Sequence, residues 1–427
     1  MIDDSGESSA VAENRSLPQR QSIPRATPLP WATLSVSDNE FSTRFVDALL
    51  NDAVSRDVTD IHLHPRCDAW EVLYRIDGVL RLVDRIPRSG PTDPTQRLMV
   101  MAGLPTYRSQ EPQEGRLRDT PDNVEMRLGV FPTVHGTRAV VRLFRQSNRL
   151  RHFGDLNLPT HARDQLQRCC NATDGAVLLC GPAGSGKTTT LYAALSHIAS
   201  DSNTQESNPN AGPAQAVGSA RRSVLTIEDP VESLIDGVSQ SQIVANDRST
   251  GMNLAAALRS AVRQDPEVLL VSEIRDPETA AAVMQSALTG HLIFSTMHAG
   301  NVVMALRRLV QLGLPHYLIS SALRLIVVQR LLRIVCPSCD GTAADGKEAC
   351  GPCGDSGMHG RIPIAETIAF DGSDPVGDTL LDALADGIDA RSMWGRVQHH
   401  SVSRLMDQAD QLVAEGKILP SEIMRVL

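Results

Sequence analysis

Apolar residues are sparse and aperiodic over positions 1–36, which are rich in Ser, Pro, Asn and charge and read as a disordered tail. Order begins with Phe41, Phe45 and Leu49, whose recurrence predicts an amphipathic helix closing near Ser55. The period then changes to two. Asp60-Ile-His-Leu-His-Pro65, Glu71-Val-Leu-Tyr-Arg-Ile76 and Val79-Leu-Arg-Leu-Val83 all alternate as strands do. Asp77-Gly78 between the last two predicts a hairpin, because both turn positions need positive φ. A strand pair near 124–131 and 137–145 completes a small α/β domain over 37–150. On its second strand Arg138 and Arg142 lie four apart and share one face.

A linker is placed at 151–162, within a polar stretch that begins at Arg145. From 163 to 427 the pattern alternates helical stretches with short, wholly apolar runs at 177–180, 224–227, 268–271 and 292–295. Strands that are apolar on both faces indicate a parallel sheet covered on both sides. Residues 200–222, mostly Ser, Asn, Gly, Ala and Pro, read as a flexible surface insertion, and 375–427 as C-terminal helices. The longest apolar stretch, 317–335, carries Arg324, Arg330 and Arg333, so it predicts a core helix running into a strand, not a membrane span.

Chemistry enters after the first of these strands. Gly181-Pro182-Ala183-Gly184-Ser185-Gly186-Lys187-Thr188 follows the run Ala176-Val-Leu-Leu-Cys180 and opens the helical segment that starts with Thr189. Strand, glycine-rich turn and helix start together form a phosphate-binding loop. Its backbone N–H groups close on a phosphate, the Lys187 ammonium reaches the β- and γ-phosphates, and the Thr188 hydroxyl is placed for Mg²⁺. A plain glycine turn with a solvated lysine would not need both flanking elements. Two later strand ends add acids: Glu228, Asp229 and Glu232 after 224–227, and Glu273 in Ser272-Glu-Ile-Arg-Asp276 after 268–271. Glu273 stands where a Walker-B carboxylate belongs. Hydrolysis of a phosphoanhydride needs one group to hold the metal shell and another to orient water. His291 and His298 lie on either side of the apolar strand that begins at 292; a lone histidine is usually structural, but at this sheet edge it can instead hydrogen-bond a terminal phosphate.

Cys336-Pro-Ser-Cys339 and Cys350-Gly-Pro-Cys353 form two tight pairs ten residues apart. Two such turns complete a tetrahedral thiolate site for Zn²⁺ with no open position, hence a structural metal. In isolated modules such a site is worth roughly 10–16 kcal/mol. That equals or exceeds the roughly 5–15 kcal/mol net stability of a domain. His62 and His64 share a strand face, but no third ligand accompanies them and a metal pair is not favoured. The net charge of −9 and the 3% aromatic content argue against a general nucleic-acid surface. No basic-then-apolar leader opens the chain, so the cysteines point to a reducing cytoplasm and metal, not disulfides.

In this order the motifs resemble the secretion ATPases of type II secretion and type IV pilus assembly, from about residue 36 to the C-terminus. Asp60-Ile-His-Leu-His-Pro65, Arg75-Ile-Asp-Gly78 and Pro112-Gln-Glu-Gly-Arg116 correspond to the family's second N-terminal domain. Glu228-Asp-Pro-Val-Glu232 matches its Asp box, Arg263-Gln-Asp-Pro and Ser272 to Asp276 its Walker B, and Thr289 to His298 its His box. The resemblance implies an α/β chain: a small PAS-like domain, then a RecA-like P-loop ATPase domain with a zinc lobe and helical C-terminus. It also implies a homohexamer with ATP and Mg²⁺ between the two domains. Arg116, Arg127 and Arg142 would approach the phosphates; where established, such an arginine is worth about 10³–10⁵ in rate. Glu228 would be the general base, Glu273 would support Mg²⁺, His298 would touch the γ-phosphate and His291 would shape that loop. On sequence grounds the two glutamates can exchange roles.

The tetracysteine lobe is typical of the family's assembly and export members. The implied partners are an inner-membrane platform protein and a membrane adaptor, with the motor cytoplasmic and peripheral to the inner membrane and no direct nucleic acid. Several positions depart from the pattern: Ser272 for a glycine, His64 for a glutamate, Thr137-Arg138 for Gly-Glu, a short cysteine spacer and a long insertion. The family's first N-terminal domain has no counterpart beyond the tail. Alternatives are a nucleotide-binding subunit with little turnover, or a DNA motor.

Overall fold

The computed structural model describes residues 29–108, 110–144, 152–201, 222–243, 252–345, 350, 353–397 and 404–427. Most of the expected tail and insertion lies outside these residues, whereas the expected linker at 151–162 is described from residue 152: Phe153–Leu156 form a short 3-10 turn with Phe153 and Leu156 buried, and a helix starts at Thr160. The described residues form two compact units, one around 336–359 and one holding the rest.

The larger unit begins with a six-stranded sheet. Its strands are β1 (Asp60–Pro65), β2 (Ala69–Ile76), β3 (Val79–Pro87), β4 (Gln113–Arg116), β5 (Glu125–Thr133) and β6 (Gly136–Phe144), ordered β3-β2-β1-β6-β5-β4. All neighbours are antiparallel. Asp77 and Gly78 turn the β2–β3 hairpin with φ of 47° and 78°, the double positive φ that the sequence pair suits. Helices α1 (Phe41–Ser55) and α2 (Pro94–Met101) contribute to its core, with Phe41, Phe45 and Leu49 on the buried stripe of α1. Trp31 corrects the expected tail boundary. It is buried, packs edge-on to Phe45 at 5.4 Å and donates its indole N–H to Asp84 at 3.0 Å. A lone tryptophan without periodic neighbours gives no sequence signal for this. His62 and His64 lie on β1, and burial pushes His62 down to about 4. Among the described residues no metal-binding group includes either of them.

The second sheet comprises β7 (Gly175–Cys180), β8 (Val224–Glu228), β9 (Ser239–Gln242), β10 (Val268–Val271), β11 (Leu292–Met297), β12 (Leu323–Val335) and β13 (Met358–Ala369). Its order is β13-β12-β7-β11-β10-β8-β9. From β12 to β9 all neighbours are parallel. Alternate residues feed two cores: Ala176, Leu178 and Cys180 enter one, Val177 and Leu179 the other. That is why these strands read as continuous apolar runs. The helices are α3 (Thr160–Cys170), α4 (Lys187–Asp201), α5 (Leu254–Ala261), α6 (Pro277–Leu288), α7 (Val302–Gln311), α8 (His316–Ala322), α9 (Pro375–Ala385), α10 (Ala390–Val397), α11 (Leu405–Ala414) and α12 (Pro420–Val426). The 317–335 stretch becomes most of α8 and all of β12, and no described helix is long and apolar enough to cross a membrane. At β13, the Gln408 side chain of α11 accepts from Ala365 N–H at 3.0 Å and donates to its carbonyl at 2.7 Å. Against the cost of burial, the Arg425 and Arg333 guanidiniums hold Glu422 of α12 down to about 2.

The smaller unit is built around the four cysteines. Their sulfurs lie within 4.8 Å of one another, with Cys336–Cys350 at 3.9 Å and Cys339–Cys353 at 3.8 Å. Sulfurs at tetrahedral corners about 2.3 Å from a zinc ion would stand about 3.8 Å apart, so the donor set fits that ion. Gly357 has φ of 68°, and a Cβ there would come within 2.6 Å of the Gly341 carbonyl.

Candidate functional site

The loop after β7 owes its shape to glycine. Gly184 and Gly186 have φ of 74° and 89°, and a Cβ on Gly181 would sit 2.5 Å from the Gln329 carbonyl of β12. Parallel pairing of β7 with β12 brings those backbones together. The loop ends where α4 begins, so the free N–H groups of the first turn face the loop. Lys187 folds back, donating to the carbonyls of Gly181 at 2.8 Å and Pro182 at 2.9 Å. Burial lowers its pKa, and the Glu273 charge opposes that shift.

A cavity of about 1020 Å³ opens on this loop, at the upper end of the range for ligand pockets. Lys187, Thr188, Glu228, Glu232, Glu273 and His298 all line it. The acids come from the carboxyl ends of neighbouring parallel strands, where such sheets place ligands. Glu228 is buried and accepts from the hydroxyls of Thr226 at 2.6 Å and Tyr192, and from the Gln240 amide at 3.2 Å. Glu273 contacts His298 Nε2 at 3.1 Å and Arg275 at 2.8 Å, while His298 Nδ1 meets the Gly181 carbonyl at 3.1 Å. Both ring nitrogens of His298 therefore face oxygen acceptors. Burial and the nearby Glu228 charge raise the pKa of Glu232.

His291 stands elsewhere. It precedes β11 and its carbonyl accepts from Gly175 N–H, at the amino end of β7, whereas His298 follows the other end of β11. Six extended residues span about 20 Å, so the two histidines occupy opposite rims of the sheet. His291 instead meets the Ser286 carbonyl at 3.1 Å. Its expected place beside the nucleotide is corrected on this ground. Thr189 does not line the cavity either, whereas Pro182, Ala183, Gly184 and Ser185 do.

The three expected arginines share one row across the first sheet. Arg116 pairs with Arg127, Arg127 with Arg142, Arg142 with Asp60 and Asp60 with Arg75. Asp60 binds Arg142 at 2.9 Å and Arg75 at 3.4 Å, and these two arginines line the phosphate-loop cavity. Arg116 and Arg127 do not. They contact Glu125, each at 3.5 Å, and line an adjoining cavity of about 1220 Å³. Sequence reasoning missed Arg75 as a site residue, along with Asp60, Tyr192 and Arg330. Arg75 and Asp60 carried a signal, as parts of the Arg75-Ile-Asp-Gly78 and Asp60-Ile-His-Leu-His-Pro65 motifs.

Comparisons with known proteins bear on the family and the fold. The family model for type II/IV secretion system proteins matches residues 35–425. The chain is 33% identical over 414 residues to the type II secretion system ATPase E of Vibrio cholerae, covering 92% of this chain and 76% of that one. It is 33% identical over 359 residues to the type IV pilus assembly ATPase PilB of Myxococcus xanthus, covering 78% and 60%. In fold it resembles the Yersinia pseudotuberculosis ATPase DotB, with a TM-score of 0.67 and 18% identity over 95% of this chain and 98% of that one. The pilus retraction motor PilT with bound ADP gives a TM-score of 0.58 at 23% identity, over 88% and 95%. The family model's match over residues 35–425, with a relative 33% identical over most of both chains, places this protein in the type II/IV secretion system protein family.

Proposed function

We propose that this chain hydrolyses ATP at the phosphate-loop cavity and that the resulting domain motion drives (pseudo)pilin assembly in a type II secretion or type IV pilus system. One observation carries the reading: Lys187, Thr188, Glu228, Glu273 and His298 converge on a single cavity at the carboxyl rim of a parallel sheet. The loop amides and Lys187 bind the β- and γ-phosphates, and Thr188 with Glu273 would hold Mg²⁺. That ion, when bound, neutralises charge developing on the transferred phosphoryl group. Glu228 or Glu273 takes the proton of the attacking water, and Arg142 offsets the remaining charge from the first sheet. Arg116 and Arg127 act in the same cycle from the adjoining cavity when the domains move.

The working form is a homohexamer at the cytoplasmic face of the inner membrane, coupled to a platform protein and an adaptor, without direct contact to nucleic acid. The acidic total charge and few aromatics support that last point. The tetracysteine unit holds structural Zn²⁺. Steady-state phosphate release from the wild type, Lys187→Ala and Glu273→Gln tests the reading. Turnover in the wild type and its loss in both variants is expected; equal rates in all three would overturn it.

A further inference from the structure

Helix α4 does more than present Lys187 and Thr188. Tyr192 lies one turn beyond Thr188, so both side chains share a helix face. Its hydroxyl donates to Glu228 and accepts from the Glu232 backbone N–H at 3.1 Å. Both ends of the segment from Glu228 to Glu232 are thus held by one hydroxyl of the helix that begins at the phosphate loop. Tyr192 itself is half-buried, and burial together with the Glu228 charge raises its pKa, so it stays a donor.

We infer that Tyr192 is a positioning residue for Glu228, fixing its carboxylate relative to the helix that carries Thr188. The inference rests on the hydrolytic reading above and deepens it. One helical turn separates Tyr192 from Thr188, so the hydroxyl ties the Glu228 carboxylate to the element that ends the phosphate loop, where small displacements are costly in rate. A tyrosine that merely fills space would affect stability and act independently of the Glu228 carboxylate.

The test is steady-state ATP turnover and thermal unfolding of the full chain for the wild type, Tyr192→Phe, Glu228→Asp and the double variant. In Tyr192→Phe kcat is expected to fall about tenfold with KM within about twofold. In the Glu228→Asp background, where the shortened carboxylate leaves the hydroxyl, the same substitution should change kcat by less than about twofold. Losses of equal size in the two backgrounds, or an unchanged kcat in Tyr192→Phe, would overturn the inference. Absence of turnover in the wild type would sink the hydrolytic reading, and non-additive unfolding temperatures across the four proteins would still show the contact.

Discussion

Glu366 on β13 is buried among apolar neighbours, with one carboxyl oxygen lacking a hydrogen-bond partner. Burial pushes its pKa from 4.5 up to about 7, although the Arg330 charge and the Val302 N–H pull it down. At about 1.4 kcal/mol per pH unit, that rise makes ionised Glu366 a cost of about 3 kcal/mol. The native state holds this proton more tightly than the unfolded chain does. The cost is therefore absent below about pH 4.5, grows as pH rises and is complete above about pH 7. Glu366→Gln fixes the neutral form, and Arg330 keeps its bonds to the carbonyls of Gln329 and Gly300, both at 3.0 Å. Guanidinium unfolding of both proteins at pH 5, 6, 7 and 8 should show the wild type losing about 3 kcal/mol relative to the variant. Parallel curves would mean that Glu366 titrates like an exposed carboxyl, and the reasoning from burial would fail.

On the proposed role of His298 towards the terminal phosphate, His298→Ala should lower kcat about a hundredfold. His291→Ala, at the opposite rim, should stay within about twofold; equal losses in steady-state assays would refute the separation. With the proposed zinc site, Cys353→Ser should abolish zinc binding and free the amides of 336–345 for hydrogen exchange, and unchanged exchange in metal-stripped protein would count against a structural ion. Glu422→Gln should cost about 3 kcal/mol at pH 7, because two arginines lose a buried partner. Since Glu422 is held down to about 2, its contribution is full above about pH 4.5 and fades as pH falls towards 2. A variant as acid-sensitive as the wild type in thermal scans would contradict that pairing.

Much of the fold could be read from local periodicity. The alternating runs became β1 to β3, and the doubly apolar runs became β7, β8, β10 and β11. The phosphate loop was legible because its glycines, lysine and helix start are consecutive. What escaped depends on distant chain segments. Arg75, Asp60 and Arg142 meet only because antiparallel register puts them side by side on β2, β1 and β6. Glu228 meets Tyr192 across 36 residues, a separation that no window of local pattern spans. His291 and His298 look equivalent in sequence. Counting a six-residue strand between them would already have separated their rims.

The Gln408 amide at Ala365 bears on how copies of this chain can associate. β13 ends the second sheet, and such a border offers unpaired backbone groups to any passing strand. At Ala365 the primary amide imitates one residue of a further strand, satisfying donor and acceptor together. A second copy cannot extend the sheet there by backbone zippering unless it first evicts that side chain. Continuous fibre-like stacking along this border is blocked at that point.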